Sequence, residues 1–449
     1  MREKDFEYVF AEWLDFKFPE IVKREVDVPL EHDLIISVVG PRQAGKTFLM
    51  YQIIQELWRK IPKDNVVYIN FEHERLRGLD ALHLEDMMKT YYKFFSPLND
   101  KPIYLFLDEI QNVRDWDKWV RNIYEKRKYR LVISGSSSKL LSREISTSLR
   151  GRSIDITVLP FSFREFLNAK GINIDNLKLV GYSERRGRLL GLLEEYLRLG
   201  GYPKVVLTKD YMVKRDILRS YYEAIFYRDL IERYKIRDAT LLDIFLRYLM
   251  SSFSKYVSIS RAYNYLKGLG FRTSKSSLIK FMSYAEEVFL VYMVEILSPS
   301  IKARKQYPRK VYCVDNGIVV AKHPEALESM GRLMENVVFI ELMRRSRLGE
   351  LFQVYYWREY GNRTGREVDF VIVEGFKAKQ LIQVTYVSNG DEVGKREIEA
   401  LLKASKELNC KNLLIITWDY DDEMKLKERK IKFIPLWRWL LSDFKTERH

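Results

Sequence analysis

The chain has 449 residues, enough for about three domains at roughly 150 residues each, and 47% of it is apolar, ample for sizeable cores. With 77 Lys and Arg against 62 Asp and Glu it carries a net charge of +15, which points to a polyanion such as nucleic acid as partner, against the plainer alternative of a lysine-rich solvated surface. Disulfide-rich secreted and membrane-spanning classes are excluded, and a soluble, cytoplasmic protein is expected: Cys313 and Cys410 fit no disulfide or metal spacing, the start Met1-Arg2-Glu3-Lys4-Asp5 has no apolar signal core, and no run approaches about 18 apolar residues.

Residues 1–33 read as an aromatic, charged leader packed on the domain that follows. Arg24 and the aliphatic residues near it are one candidate lining for an adenine site; a plain surface segment is the other reading. An apolar strand, Leu34–Val39, then runs into Gly40-Pro41-Arg42-Gln43-Ala44-Gly45-Lys46-Thr47, and a helical pattern begins at Phe48. This is G-x-x-x-x-G-K-T between a strand and a helix, the context a phosphate-binding loop requires. Gly40 and Gly45 let the backbone wrap a phosphate chain with its N–H groups turned inward. The helix start adds its dipole. Lys46 reaches the outer phosphates and the Thr47 hydroxyl ligates Mg²⁺. ATP or ADP with Mg²⁺ is the expected ligand of Gly40–Thr47 and Phe48.

Strands and helices alternate from there to about residue 168. Val66–Phe71 reads as a buried parallel strand, and helical periodicity follows over Leu79–Phe95. The apolar run Ile103–Leu107 ends in Asp108-Glu109. One strand away from a phosphate loop, Asp108 is placed to hold Mg²⁺ through water and Glu109 to activate the attacking water. The next strand, Arg130–Ile133, ends in Ser134-Gly135-Ser136-Ser137-Ser138. Ligands of open α/β sheets bind at the carboxyl ends of strands, so Ser134 or Ser136 is the candidate γ-phosphate sensor. Capping a helix at Lys139 is a compatible role. Arg150 or Arg152 is the candidate arginine for transition-state charge, in its own site or a neighbour's. After the strand Ile154–Leu159, Pro160–Leu167 is expected to close the domain with a short helix.

The phrases GPRQAGKT, YLFLDEIQN, SGSSSKLLS, LRGR and LPFSFREFL together resemble the archaeal and bacterial AAA-type ATPases that carry a C-terminal nuclease-like domain. The resemblance covers essentially the whole chain and implies ATP binding and hydrolysis. It implies an α/β fold class in four parts: a parallel-sheet P-loop ATPase core (1–168), a helical lid (169–255), a winged helix (256–324) and a restriction-endonuclease-like α/β domain (325–449). In the lid, Gly201-Tyr202-Pro203 resembles the phrase that places a proline, here Pro203, near the nucleotide base. In the winged helix, helices over Ser258–Lys267 and Thr273–Glu287 precede a basic hairpin, Lys302-Ala303-Arg304-Lys305 with Arg309-Lys310, whose charge would face a nucleic-acid backbone.

The last part has a helix with Glu335 and Glu341, a strand at Gln353–Trp357, a strand with Asp369 among apolar neighbours, a strand through Gln383-Val384-Thr385, a helix at Lys395–Leu408 and a strand at Asn412–Trp418. That order resembles the PD-(D/E)XK nucleases, whose acids gather metal for phosphodiester hydrolysis. The chain departs from the pattern where glutamate and lysine are expected: it has Gln383 and Thr385. Glu335, Asp369 and Gln383 therefore mark a vestigial nuclease site that lacks its assisting cation. Lys425–Lys432 reads as a solvated basic loop or helix, and Trp437-Arg438-Trp439 as a docking helix.

Three functions follow in order of preference. The first is a Mg²⁺-dependent ATPase acting as a nucleotide-driven switch, engaging DNA or RNA through its basic C-terminal half. The second is an ATP-regulated, metal-dependent nuclease. The third is a DNA-binding scaffold that holds nucleotide with scarcely any turnover. Ring-forming homo-oligomers and a signalling-type monomer are both open.

Overall fold

The computed structural model describes residues 2–135, 151–172, 183–298, 300–347, 351–359, 365–426 and 429–442. The chain divides into two compact units, Met1–Leu159 and Pro160–His449.

The first unit is built on a five-stranded, wholly parallel sheet. Its strands are β1 (Ile35–Val39), β2 (Val66–Asn70), β3 (Ile103–Asp108), β4 (Tyr129–Gly135) and β5 (Ser153–Thr157), in the order β2-β3-β4-β1-β5. β1 and β3 are buried along their whole length, as strands covered on both faces must be, which is why they read as continuous apolar runs. Three helices cover the sheet: α2 (Lys46–Leu57), α3 (His83–Phe94) and α4 (Trp116–Glu125). The leader forms α1 (Glu3–Leu14). Its Phe6, Val9, Phe10 and Trp13 are buried, the i, i+3, i+4, i+7 stripe of an amphipathic helix. Phe10 packs edge-on against Phe95 at 5.5 Å between ring centres, and Trp13 lies 5.5 Å from Tyr68 of β2.

Arg24, also in the leader, corrects the plain-surface reading. It is only 3% exposed. Its guanidinium donates to the Ala44 carbonyl at 2.7 Å and to the Leu159 carbonyl at 2.6 Å, and its backbone N–H donates to Gln52 Oε1 at 2.8 Å. A buried guanidinium must find oxygens, and here it finds those of the phosphate loop and the end of the last strand.

The second unit spans the lid, winged-helix and C-terminal segments of the sequence reading. Pro160–Leu167 makes its bonds here: Phe161 N–H donates to the Gly201 carbonyl at 2.7 Å, Tyr196 Oη to the Phe161 carbonyl at 2.8 Å, and Arg344 to the Pro160 carbonyl at 2.9 Å. Ser162 and Glu165 form a reciprocal capping box that starts α5 (Phe163–Ala169). The helices α6 (Ser183–Leu199), α7 (Pro203–Leu207), α8 (Tyr211–Ala224) and α9 (Ala239–Ser251) follow.

Next come β6 (Lys255–Val257), α10 (Ile259–Gly268) and α11 (Lys275–Glu287), then β7 (Val291–Val294) and β8 (Arg309–Cys313). The three strands pair antiparallel in the order β6-β8-β7. The expected basic hairpin takes another form: a short helix, α12 (Ile301–Gln306), stands between β7 and β8. β8 is the central strand of the three and is buried on both faces, from Lys310 through Cys313. Lys310, expected on a solvated wing, is therefore 2% exposed.

After α13 (Asn316–Lys322) and α14 (Met330–Arg345), a six-stranded mixed sheet forms from β9 (Gln353–Arg358), β10 (Glu367–Glu374), β11 (Lys377–Val384), β12 (Leu413–Thr417), β13 (Asp422–Leu426) and β14 (Arg429–Pro435). Its order is β13-β14-β12-β11-β10-β9. The helix α15 (Lys395–Glu407) crosses from β11 to its parallel neighbour β12. The helix, three strands, helix, strand order read from the sequence is thus present. The basic stretch at 425–432 is not a loop or a helix where it is described. Ile431 and Phe433 are fully buried while Lys430 and Lys432 face solvent, a period-2 pattern that the density of lysines hides in the sequence. The last helix among the described residues is α16 (Leu436–Leu441), whose Trp439 is buried under the Arg345 guanidinium at 4.2 Å.

Candidate functional site

Two clusters of charged residues stand out, one in each unit. In the first unit the loop between β1 and α2 is shaped by its glycines. Gly40 has φ +147°, and a Cβ there would lie 2.1 Å from the Val158 carbonyl oxygen. Gly45 caps α2 with φ 100°. Both are conformations or close approaches that a side chain would forbid. Gln43, at φ 64°, takes the same left-handed region without being glycine. The Lys46 ammonium is buried and donates to the Gly40 and Pro41 carbonyls, each at 3.2 Å. Arg42 lies 3.8 Å from Glu72, and Phe48 is 42% exposed.

Asp108 ends β3, and the strand order puts it beside β4 and within reach of α2. Three hydroxyls converge on its buried carboxylate. Thr47 Oγ1 and Tyr68 Oη each donate to Oδ2 at 2.7 Å, and Ser134 Oγ donates to Oδ1. Ser134 also accepts from the Glu109 N–H at 2.9 Å. Glu109 sits in the left-handed region with φ 52°. Its carboxylate accepts from Gln111 Nε2 and lies 4.0 Å from the Lys46 ammonium. Burial pushes the Glu109 carboxyl above the usual range, Lys46 pulls it back, and Asp108 pushes it further. The Tyr68 hydroxyl is held firmly neutral by burial and by the Asp108 charge, and so serves as a donor.

This donor set fits a nucleoside triphosphate with Mg²⁺. The Gly40 cradle admits no side chain, a buried ammonium faces the loop carbonyls, and a hydroxyl and a carboxylate lie 2.7 Å apart as a hard cation needs them. Of the residues singled out from sequence, Gly40, Pro41, Arg42, Gln43, Ala44, Gly45, Lys46, Thr47, Phe48, Asp108 and Glu109 belong to this one loop-and-strand-end cluster. Ser134 joins it. Ser136 and Arg150 lie outside the described residues. Arg152 is not brought to the loop of its own chain: its carbonyl accepts from Ile35 at the start of β1, and its guanidinium pairs with Glu125 at 3.1 Å. β1 lies between it and the loop, about 13 Å at about 3.3 Å per residue. Pro203 belongs to the second unit, where it takes the first position of α7 behind the buried Tyr202. Tyr68 and Gln111 were missed; a polar ring inside an otherwise apolar strand was the available signal.

The second cluster lies where β8, α14 and β10 meet. Lys310 Nζ donates to Asp369 Oδ1 at 2.7 Å and to Glu335 Oε1 at 3.0 Å. Tyr312 Oη donates to Glu335 Oε1 at 2.6 Å. Asp369 Oδ2 accepts from the Val384 N–H at 3.0 Å, and Gln383 Oε1 accepts from the Asp369 N–H at 3.3 Å. Burial, then the Asp369 charge, raises the Glu335 carboxyl to about 7. Glu397, on α15, is raised to about 7 for the same two reasons. Glu341 is elsewhere, paired with Arg345 at 2.9 Å. The expectation that this pocket lacks a cation is corrected: Lys310 supplies one from a different sheet. The arrangement does not fit a metal ion, and among the described residues no group of three or more His, Cys, Asp or Glu is set to hold one.

Comparison with known proteins bears on both units. Residues 32–167 match the family model described as an AAA domain. Residues 190–326 and 330–439 match two models, each described as a domain of unknown function (DUF8612 and DUF4143). An uncharacterized protein of Methanocaldococcus jannaschii is 34% identical over 97% of this chain and 95% of its own length. The chain belongs to that protein's family. An uncharacterized protein of Haemophilus influenzae is 28% identical over 90% of this chain and 94% of its own length. The family protein described here thus carries an AAA-type P-loop ATPase domain on a parallel α/β sheet. A solved Walker-type ATPase of Pyrococcus abyssi superposes with a TM-score of 0.44 at 14% identity, over 71% of this chain and 95% of its own, too loosely to argue from. Among the described residues no helix is long and apolar enough to cross a membrane.

Proposed function

We propose that this protein is a Mg²⁺-dependent ATPase that works as a nucleotide-driven switch. The observation that carries the reading is the convergence of Thr47, Ser134 and Glu109 around Asp108 at the carboxyl ends of β1, β3 and β4, with Lys46 within 4.0 Å of Glu109. When bound with the nucleotide, Mg²⁺ supplies positive charge to the phosphate oxygens. The chain's own groups do the rest. The N–H groups of the loop and the start of α2 take the phosphate oxygens. Lys46, which now satisfies its ammonium on the Gly40 and Pro41 carbonyls, exchanges them for the outer phosphates. Thr47 and Asp108 would hold the Mg²⁺. Gln111 fixes the Glu109 carboxylate, which takes the proton of the attacking water at its free oxygen edge.

The switch follows from the same contacts. Ser134 links Asp108 to the Glu109 backbone, so a group at the γ position biases both at once. ATP and ADP differ in that position alone, which is the differential interaction a two-state change requires. Release of phosphate from ATP tests the reading. Lys46→Ala and Glu109→Gln should each abolish it, and full turnover in both would sink the assignment.

The engagement of nucleic acid by the second unit is supported by its charge. Residues 244–285 contain seven Lys or Arg and no Asp or Glu. Lys255, Arg261, Lys267, Arg272, Lys275 and Lys280 are all exposed on or beside α10 and α11. A face of this kind takes phosphates with a steep salt dependence. Binding of labelled duplex and single-stranded DNA at several salt concentrations, repeated with Arg272→Glu and Lys275→Glu, checks it. Affinity that ignores both salt and the two substitutions would exclude this face.

A further inference from the structure

The pocket of the second unit that resembles a nuclease site holds Asp369 and Glu335 but has Gln383 where a further acid is expected, yet it is not short of positive charge. Two buried carboxylates, Asp369 and Glu335, share one buried ammonium, that of Lys310. Lys310 reaches them from β8, a strand of the neighbouring three-stranded sheet, 25 residues before Glu335 and 59 before Asp369. The other polar groups of the pocket complete the shell around the pair. Tyr312 Oη bonds the same Glu335 oxygen, the Val384 N–H bonds the second Asp369 oxygen, and Gln383 spends its carbonyl on the Asp369 N–H. Tyr256 closes one side, its ring centre 5.5 Å from the ammonium and its hydroxyl bonded to Glu367 at 2.9 Å.

We propose that the Lys310 ammonium is the permanent cation of this pocket, standing between Asp369 and Glu335 where a metal-dependent hydrolase would hold a divalent ion and keeping such an ion out. A bridging cation and a bridging metal compete for the same two oxygens. Mg²⁺ requires about six oxygen ligands near 2.1 Å; the pocket offers two carboxylates already committed to an ammonium, an amide where a third carboxylate would be, and Glu397 nearby, which is bonded to Thr385 and, among the described residues, completes no metal-ligating group of three. Lys310 cannot step aside cheaply, because at 2% exposure breaking its pairs with Glu335 and Asp369 leaves buried charge without a partner. The raised Glu335 carboxyl fits one ammonium serving two acids. The pocket then ties β8, α14 and β10 together as a charged core element, with no place for the metal that phosphodiester cleavage there would need.

Mn²⁺ binding to the full-length, nucleotide-free protein, counted by electron paramagnetic resonance, tests this. Wild type and Asp369→Asn should bind equal numbers of Mn²⁺ ions, any ion at the phosphate loop being common to both. Lys310→Met should bind one more, and Lys310→Met combined with Asp369→Asn should lose it again. One additional ion in wild type over Asp369→Asn overturns the proposal, as does a folded Lys310→Met protein that gains none. If Lys310→Met does not fold, the comparison of wild type with Asp369→Asn decides the matter by itself.

Discussion

The hydroxyl of Tyr68 donates to Asp108 Oδ2 at 2.7 Å, the same oxygen that accepts from Thr47. Tyr68 is itself packed against Trp13 of the leader helix at 5.5 Å. The Asp108 carboxylate, the proposed metal-side acid, is thus oriented by a ring that α1 holds down. A hydrogen bond to a charged group contributes about 1.5–3 kcal/mol net, so Tyr68→Phe should lower ATP turnover about tenfold and move half-saturation by Mg²⁺ to higher concentration. A Mg²⁺ titration of phosphate release checks this; an unchanged half-saturation point would show that Thr47 and Ser134 suffice to hold Asp108.

Arg24 braces the phosphate loop from behind through the Ala44 carbonyl. Arg24→Ala leaves that carbonyl and the Leu159 carbonyl without their charged donor. Stability of the first unit should fall by about 3 kcal/mol, with weaker ADP binding because the loop is less preorganised. Chemical denaturation and calorimetric titration of the same samples read both. An unfolding midpoint equal to wild type would contradict the bracing role.

The pH dependence of turnover should carry the mark of Glu109. As the proposed base it would act deprotonated, and burial raises its carboxyl above the ordinary carboxylate range. Turnover should therefore begin to fall, as pH is lowered, at a pH above that of an ordinary glutamate. A pH profile of single-turnover phosphate release, with nucleotide saturating throughout, measures it. A rate that stays flat down to the ordinary glutamate range removes Glu109 from the proton-transfer step.

Asp315 gives an independent pH effect on stability. Its buried carboxylate caps α13 and accepts from the Gly201 N–H at 2.7 Å and the Gly317 N–H at 2.8 Å. Gly200, at φ +74°, leaves the space: a Cβ there would fall 1.8 Å from the carboxylate. Burial raises Asp315 from 3.8 to about 6 while the backbone donors pull it down. The folded state therefore holds this proton more tightly than the unfolded one, and the advantage is present at low pH and lost as pH rises from about 4 through about 6. The shift corresponds to on the order of 3 kcal/mol. Denaturation midpoints between pH 4 and pH 7 should show wild type losing stability relative to Asp315→Asn. Parallel curves would remove Asp315 as the source.

The cluster of Gly40–Thr47 with Asp108 and Glu109 was legible in the sequence because its parts are local. Gly40–Thr47 is one contiguous loop, and Asp108-Glu109 advertises itself as two acids at the end of an apolar strand. What completes the site depends on strand order. Tyr68 and Ser134 reach Asp108 only because β3 lies between β2 and β4, a relationship no spacing encodes. Lys310 is the clearest case. Among Arg309, Lys310 and the basic residues before them it looked like wing charge, and only its position on a central strand turns it inward. The same ambiguity hid β14, whose alternating lysines read as solvated loop although Ile431 and Phe433 are core. Arg24 was undecided for a related reason: the leader's charge density says nothing of which cation the fold will bury.

The claim on which the rest stands is that the loop at Gly40–Thr47 hydrolyses ATP with Glu109 as the base. Phosphate release by Glu109→Gln, measured beside its ATP affinity, tests it most directly. The account predicts affinity close to wild type with turnover reduced at least about a hundredfold, the lower range for loss of a general base. Wild-type turnover in Glu109→Gln would contradict it.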